Sequence, residues 1–493
     1  MSNAKIYYHD IGDYLSREEK LKIIKKNRTV ANMQWQTLTP NQHGDWLNQR
    51  NNLFSSFIPL EPEKKFKTET KSVFNLIAIG VATNRDAWAH NFSKEKLSEN
   101  MLRMVDFYNE QSKKFSEAIK ENPKLEAEKF IDTNETKISW TVNLKKDVEK
   151  GKIHKFEEKV RRIAMYRPFT KNWLYYEKSM IERPGLWSQL FPTKNHKNLI
   201  LCVTGIGVNK DFSVLITDVI PDLQIQANGQ CFPLYYYEEN KNQAANLFDT
   251  SNEEQYIRRD AISDFILERA RKQYGIIRGH APLSKEDIFY YVYGFLHSTQ
   301  YRETFASDLK KMLPRLPLVE DVRDFWAFSK AGRKLAALHL NYELQVTSYE
   351  LQDGVIDYLQ PEKEEFDYEY QMAAESKIKY YTQKDFDLYK VEKMRFPKKE
   401  QKDTIIYNSR ITIKNIPETA YEYVVNGKSA IEWIMERYQI SKHKESGIEN
   451  NPNDWSVENK KPRYILDLLL NVINLSVKTV EIVKGLPEVK FEE

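Results

Sequence analysis

Several short motifs in this chain have residue types that could carry chemistry, and each fails on spacing or surroundings. Gly427-Lys428-Ser429 ends like a phosphate-binding loop but has no glycine four or five residues upstream, and it lies inside a helical pattern. Gly205-Ile206-Gly207 lacks the third glycine of a dinucleotide fingerprint and falls between two strand-like runs, where a turn is expected. Asn451-Pro452-Asn453-Asp454-Trp455 lacks the second proline of the loop with which an amino-methyltransferase accepts hydrogen bonds from its target amine; the chain has no Pro-Pro dipeptide. Pro221-Asp222 opens like a metal-dependent nuclease motif, but Gln224 and Gln226 stand where an acid and a lysine would be needed to hold the cation. The histidines, among them His9, His43, His154, His280, His297 and His339, are scattered without a His-Glu-x-x-His pattern, and structural roles are expected for them. No metal ligand set is expected.

The elements that must position any functional group are easier to read. Asn198 to Thr204 and Ser213 to Thr217 are apolar, β-branched runs separated by Gly205, Gly207 and Asn209, which predicts a buried hairpin. That hairpin lies inside a longer stretch, Ile163 to Tyr237, which begins with Tyr166-Arg167-Pro168-Phe169 and closes on Phe232-Pro233-Leu234-Tyr235. Val73 to Ala82 predicts another strand, and the residues just past it, Thr83 to Trp88, are well placed to act. Ile6 to Tyr8 and Lys137 to Val142 also read as strands. After Ser93, the spacing of Leu97, Met101, Met104 and Tyr108 predicts an amphipathic helix. Ser284 to Asp287 resembles a capping box ahead of a helix to Leu296, with further helices over Thr299 to Leu313 and Val319 to Tyr342. Leu388 to Ile413 suggests a hairpin and Glu418 to Tyr438 a helix. A last helix begins near Pro462 and ends at Gly485. Residues 6–37 supply too little apolar surface for a core and read as the end of a domain.

At 493 residues, with 41% hydrophobic and 30% charged, the chain is expected to be a soluble globular protein of two to four domains. Cys202 and Cys231 form no CxxC pair, which suits a reducing compartment; with no signal peptide or membrane-length apolar run, a cytoplasmic location is expected. The net charge of +4 is modest, but its distribution is uneven. Lys145 to Lys178 holds eleven basic residues against five acidic ones, and Glu350 to Glu375 holds nine acids against one lysine. The basic run is either a solvated face or a phosphate-binding surface.

With these landmarks in order, the chain resembles the C-terminal part of Type ISP restriction-modification enzymes. The resemblance runs through Ile6 to Ile11, Thr39-Pro40-Asn41, Asp45 to Arg50, Thr83 to Trp88, Phe107-Tyr108-Asn109, Tyr166 to Phe169 and Phe232 to Tyr235. It continues through Tyr291 to Gly294, Leu296-His297-Ser298, Tyr301-Arg302, Leu313 to Pro317 and Leu338-His339-Leu340. It implies an α+β fold, with a mixed β-sheet and hairpin recognition domain, a helical subdomain and a C-terminal helix. Residues 1–65 would be the tail of an N6-adenine methyltransferase, and 66–250 the β-rich half of the target-recognition domain. Residues 251–345 would be a helical subdomain, and 346–493 a strand-rich piece with C-terminal helices. S-adenosylmethionine, ATP and Mg would belong to methyltransferase, helicase and nuclease portions encoded upstream, so this chain needs no cofactor and should not itself be an enzyme.

The implied partners are double-stranded DNA and those other portions of the same system, with no membrane. Arg and Lys suit guanine edges and phosphates, and Asn and Gln suit adenine, so Asn84, Arg85, Lys171, Asn172 and Lys210 are the candidate DNA contacts. Enzymes that read different targets share the Tyr-Arg-Pro-Phe and Phe-Pro-Leu-Tyr elements. Tyr166, Pro168, Phe169, Phe232 and Pro233 are therefore expected to frame the hairpin rather than to read bases. A docking module without DNA binding of its own is the alternative, and a free-standing methyltransferase with diverged motifs ranks third.

Overall fold

The computed structural model describes residues 4–12, 15–62, 71–240, 255–275, 282–344 and 382–491, and the backbone of 356–358. Most of the acidic run Glu350 to Glu375 and most of the loop expected over Glu238 to Glu254 lie outside the described residues. The architecture is α+β, with helices packed around several small sheets.

The expected buried hairpin is there: Ile200–Val203 pairs antiparallel with Val214–Thr217, and Gln230–Pro233 and Ala78–Ile79 complete a four-stranded sheet. Both of its faces are covered. Side chains alternate across a strand, so Ile200 and Cys202 enter one core while Leu201 and Val203 enter another. This two-sided burial is why the strands read as continuous apolar runs. Cys202 and Cys231 are opposite each other across the sheet as free, buried thiols.

A second four-stranded sheet holds Tyr166 to Phe169. Arg161–Arg167 and Thr170–Tyr175 form an antiparallel hairpin whose loop is Pro168-Phe169. Proline followed by Phe169 at φ 55° is the order of a type II turn. His90–Asn91 extends this sheet on one side and Ile220–Pro221 on the other, the latter in parallel.

Helices close the cores. Ser93 caps Lys94–Glu121, and Leu97, Met101, Met104 and Tyr108 are all buried, as their spacing predicts. Ser284 and Asp287 form the capping box of Lys285–Phe295, which crosses Val322–Leu340 at touching backbones. A Cβ on Gly332 would lie 1.9 Å from the carbonyl oxygen of Tyr290, so only glycine fits that crossing. Tyr464–Lys484 is the expected last helix, with Gly485 at its C-cap. The core around it draws residues from Leu76 to Val480, so side chains from both the 66–250 and the 346–493 segments share it. No helix among the described residues is long and apolar enough to cross a membrane.

Some elements differ from the sequence reading. Lys137 to Val142 is not a strand: Thr141 accepts from the amide of Leu144 and starts the helix Val142–Glu149. Val73 to Ala82 is a strand only at Ala78–Ile79, with isolated bridges at Phe74, Val81 and Ala82. The helix expected over Thr299 to Leu313 is two short ones, Thr299–Thr304 and Ala306–Leu309. Glu418 to Tyr438 is a 3-10 turn, a two-stranded hairpin and then the helix Ala430–Arg437. Asn426 and Gly427, both at positive φ, make that hairpin turn, so Gly427-Lys428-Ser429 lies at a turn and a helix cap.

Candidate functional site

Two cavities open on either side of the Tyr166-Arg167 strand end. The first, about 610 Å³, is lined by Thr83 to Trp88, His90, Tyr166, Asp222 to Gln224 and the 441–450 hairpin. The second, about 690 Å³, is lined by Arg167, Gly207 to Lys210, Gln224, Ala227, Asn228, Asn426, Lys428 and Trp433. Gln224 lines both.

A charged cluster forms the floor between them. Arg167 donates from Nη1 to Asp222 Oδ1 at 2.7 Å and from Nη2 to Asp86 Oδ2 at 3.4 Å, and its guanidinium stacks 3.9 Å from the centre of the Tyr166 ring. The Tyr166 hydroxyl donates to Asp86 Oδ2 at 3.1 Å, and Thr83 donates to the other oxygen. His90 lies against the Tyr166 ring at 4.6 Å and pairs through Nδ1 with Asn172 Oδ1 at 2.9 Å. Its Nε2 makes no hydrogen bond and faces Asp222 Oδ2 at 3.8 Å.

Burial sets the electrostatics. It pushes Asp222 up to about 7, against the pull of Arg167 and with help from Asp86. It opposes the charge of Asp86 as well, but His90, Thr83, Arg167 and Tyr166 together hold that carboxyl below its usual value. Burial lowers His90, with Asp86 and Asn172 acting the other way. Asp86, His90 and Asp222 offer ligand atoms within 4.8 Å of one another, a donor set that a divalent cation could use. Arg167 already supplies positive charge to both carboxylates, and a cation there would compete with it.

The expected contacts are divided by this geometry. Asn84 is exposed, at φ 52°, and lines the first cavity. Lys210 is half-buried and lines the second. Arg85 turns inward: it is 4% exposed, donates to Thr141 Oγ1 at 2.7 Å, and burial pushes its guanidinium down to about 10. Asn172 is fully buried on His90, and Lys171 is tied to Glu343 Oε2 at 2.7 Å. Among the frame residues, Phe169 is fully buried against Tyr342, Tyr423 and His339, and Phe232 packs on Phe74 at 5.0 Å. Pro168 and Pro233 are buried too, whereas Tyr166 forms part of the first cavity's wall.

Sequence reasoning passed over Gln224 and Asn228 as groove residues. Both are exposed, whereas Gln226 is buried and accepts from Ser213 Oγ at 2.6 Å. The 441–450 hairpin was missed as a wall as well. It is held by Asn450 Oδ1, which accepts the Phe92 amide at 3.0 Å, and by Asn91, which donates to the Glu449 carbonyl at 3.2 Å. Nothing local in the sequence signals pairings so distant along the chain.

The scaffold is an α+β fold with an open, partly charged cleft. More particularly, a family model described as the Type ISP C-terminal specificity domain matches residues 72–468, and the chain belongs to that family. Among solved structures it is similar to a nuclease-deletion mutant of the Type ISP restriction-modification enzyme LlaGI in complex with a DNA substrate mimic. That match has 36% identity and a TM-score of 0.79, over 100% of this chain and 40% of the other. It is similar to the ATP-dependent Type ISP enzyme LlaBIII bound to DNA, at 35% identity and a TM-score of 0.79, over 99% of this chain and 28% of the other. A DrdV–DNA complex, 24% identical with a TM-score of 0.76 over 99% of this chain and 44% of the other, shares the fold. The chain thus spans less than half the length of these relatives. Curated proteins give no significant match.

Proposed function

We infer that this chain recognises a specific sequence in double-stranded DNA for a Type ISP restriction-modification system, and presents the target adenine to an N6-adenine methyltransferase. The observation that carries this reading is the match over 100% and 99% of the chain to two Type ISP enzymes, both of them in complex with DNA or a DNA mimic. The open cleft supports it. Exposed amides at Asn84, Gln224 and Asn228 and the amine of Lys210 suit base edges and phosphates. In this reading catalysis, S-adenosylmethionine, ATP and Mg belong to the methyltransferase, helicase and nuclease portions of the system, and adenine is flipped into the methyltransferase rather than into this chain.

Fluorescence anisotropy with labelled duplexes tests the reading. Binding is expected to weaken linearly in log affinity against log salt. A folded chain that binds no duplex even at low salt overturns it.

A second reading, a docking module, draws on residues 4–50. The described residues there include none that is buried, and Tyr7, Leu21, Ile24, Val30, Trp35 and Trp46 are exposed. Such an apolar surface suits a protein partner. Co-purification with a methyltransferase portion of the same system, without DNA binding by the chain alone, would favour this reading over the first.

A further inference from the structure

Gln224 combines a fixed backbone with an unused side chain. Its amide donates to Asp222 Oδ1 at 2.8 Å and its carbonyl accepts from Asn426 Nδ2 at 3.1 Å. Asp222 is in turn gripped by Arg167. The adjoining Leu223 lies so close to Gly80 that a Cβ there would come within 2.5 Å of its Cα. The side-chain carboxamide of Gln224 is nonetheless exposed, makes no hydrogen bond among the described residues, and stands where the two cavities meet.

That combination is what direct readout requires. A carboxamide presents a donor and an acceptor side by side, the complement of adenine N7 and N6 in the major groove, and discrimination depends on a backbone that holds it still. Asn84 lines one cavity and Asn228 the other, both exposed and both at positive φ, 52° and 51°. Asparagine is among the few residues with a side chain that occupy this region readily, so both amides project from tight turns.

The second cavity adds charge. Lys210 has no ion pair among the described residues, and it faces Lys428, whose own partner is Glu436. Burial is the main cause that depresses Lys428, and the nearby cations Arg437 and Lys210 add to it while Glu432 acts the other way. A phosphate would relieve that crowding, and phosphate contacts set the register in which a neighbouring side chain reads a base.

We propose that Gln224 reads an adenine from the major groove and that Lys210 holds a backbone phosphate beside it. The inference rests on the reading of the chain as a DNA-recognition module.

Selection from a randomised double-stranded DNA library with the 493-residue chain provides the test. The wild type is expected to enrich a short motif. Q224A then loses about 5- to 150-fold of discrimination at one A·T pair, and Q224E moves the preference there toward cytosine, whose amino group a carboxylate accepts from. K210Q weakens binding to all sequences alike and lowers the salt dependence by about one counterion, leaving the motif unchanged. A wild-type motif that Q224A and Q224E leave unaltered at every position overturns the assignment of Gln224 while the DNA-recognition reading stands. A K210Q protein with unchanged affinity and salt dependence overturns the phosphate contact. If the wild type, folded by circular dichroism, enriches no sequence, both the reading and the inference built on it fall.

Discussion

Two buried polar clusters in this molecule are built in opposite ways. Between the helices, His339 pairs through Nδ1 with the Tyr293 hydroxyl at 2.5 Å and through Nε2 with the Thr479 hydroxyl at 2.9 Å, so both ring nitrogens are satisfied. Beneath the cavities, His90 is satisfied at one nitrogen alone, and Asp86, Asp222 and Arg167 bring formal charges to its side. These pairs tie separate helices together with both His339 nitrogens satisfied, although the neighbouring His297 Nε2 and Tyr423 hydroxyl are left without a partner among the described residues. A charged cluster beside an opening keeps electrostatic potential where a ligand can meet it. The fold is thus secured by the first kind of polarity, and the cleft is shaped by the second.

The sharpest way to break that contrast is R167A. Removing one partner of a buried ion pair costs up to about 3–5 kcal/mol, and less to the extent that Asp222, no longer held down by Arg167, takes up a proton. Urea unfolding is expected to show that loss, and R167A/D222N to recover most of it. Equal losses in the two variants would mean that the Arg167–Asp222 pair is not what holds the cluster.

Stability against pH separates Asp222 from His339 by sign. The pKa of Asp222 is raised, so the folded state binds that proton more tightly than the unfolded chain. Its contribution is complete below the usual carboxylate value of 3.8 and is lost as the pH rises through about 7. Burial lowers His339 to about 3, so there the unfolded chain takes up the proton first. That contribution is complete above 6.5 and is lost as the pH falls toward 3. Each group contributes a slope of at most about 1.4 kcal/mol per pH unit. D222N is expected to remove the first slope and H339N the second, read from urea midpoints between pH 4 and 8. An unchanged slope in D222N would move the titrating proton to another member of the cluster.

Y293F tests the pairing at His339 more gently. It takes the hydroxyl from His339 and from the amide of Ile216, for about 1–3 kcal/mol by thermal unfolding. Smallest of all, Q224A and N84A should lie within about 0.5 kcal/mol of wild type, as exposed side chains do. A larger loss would make the cleft wall structural and remove the distinction between the two regions.

Much of the scaffold was legible residue by residue. Ser93 and Ser284 mark helix starts because a cap is satisfied within three residues. Misreadings came where two local signals competed. Ile138, Trp140 and Val142 alternate as a strand does, yet the Thr141 cap starts a helix at Val142. Val424 to Ser429 sits in a helical texture, yet Asn426-Gly427 turns it into a hairpin.

The candidate site was far less legible. Arg85 and Asn84 are adjacent past the same strand, and either could have faced the cleft. Arg85 instead reaches Thr141, and Asn84 alone is left outside.

By itself the sequence determined the buried hairpins, the capped helices and the family, because each depends on periodicity, turns and motif order along the chain. Tertiary structure alone decided which polar side chains are spent on the fold and which remain for a ligand. Gln226 is buried on Ser213 while Gln224, two residues away, stays exposed, and the turn between them is held by Asn426 from a distant part of the chain. The burial of a polar group is decided by whether a partner reaches it, and those partners come from segments that only folding brings together.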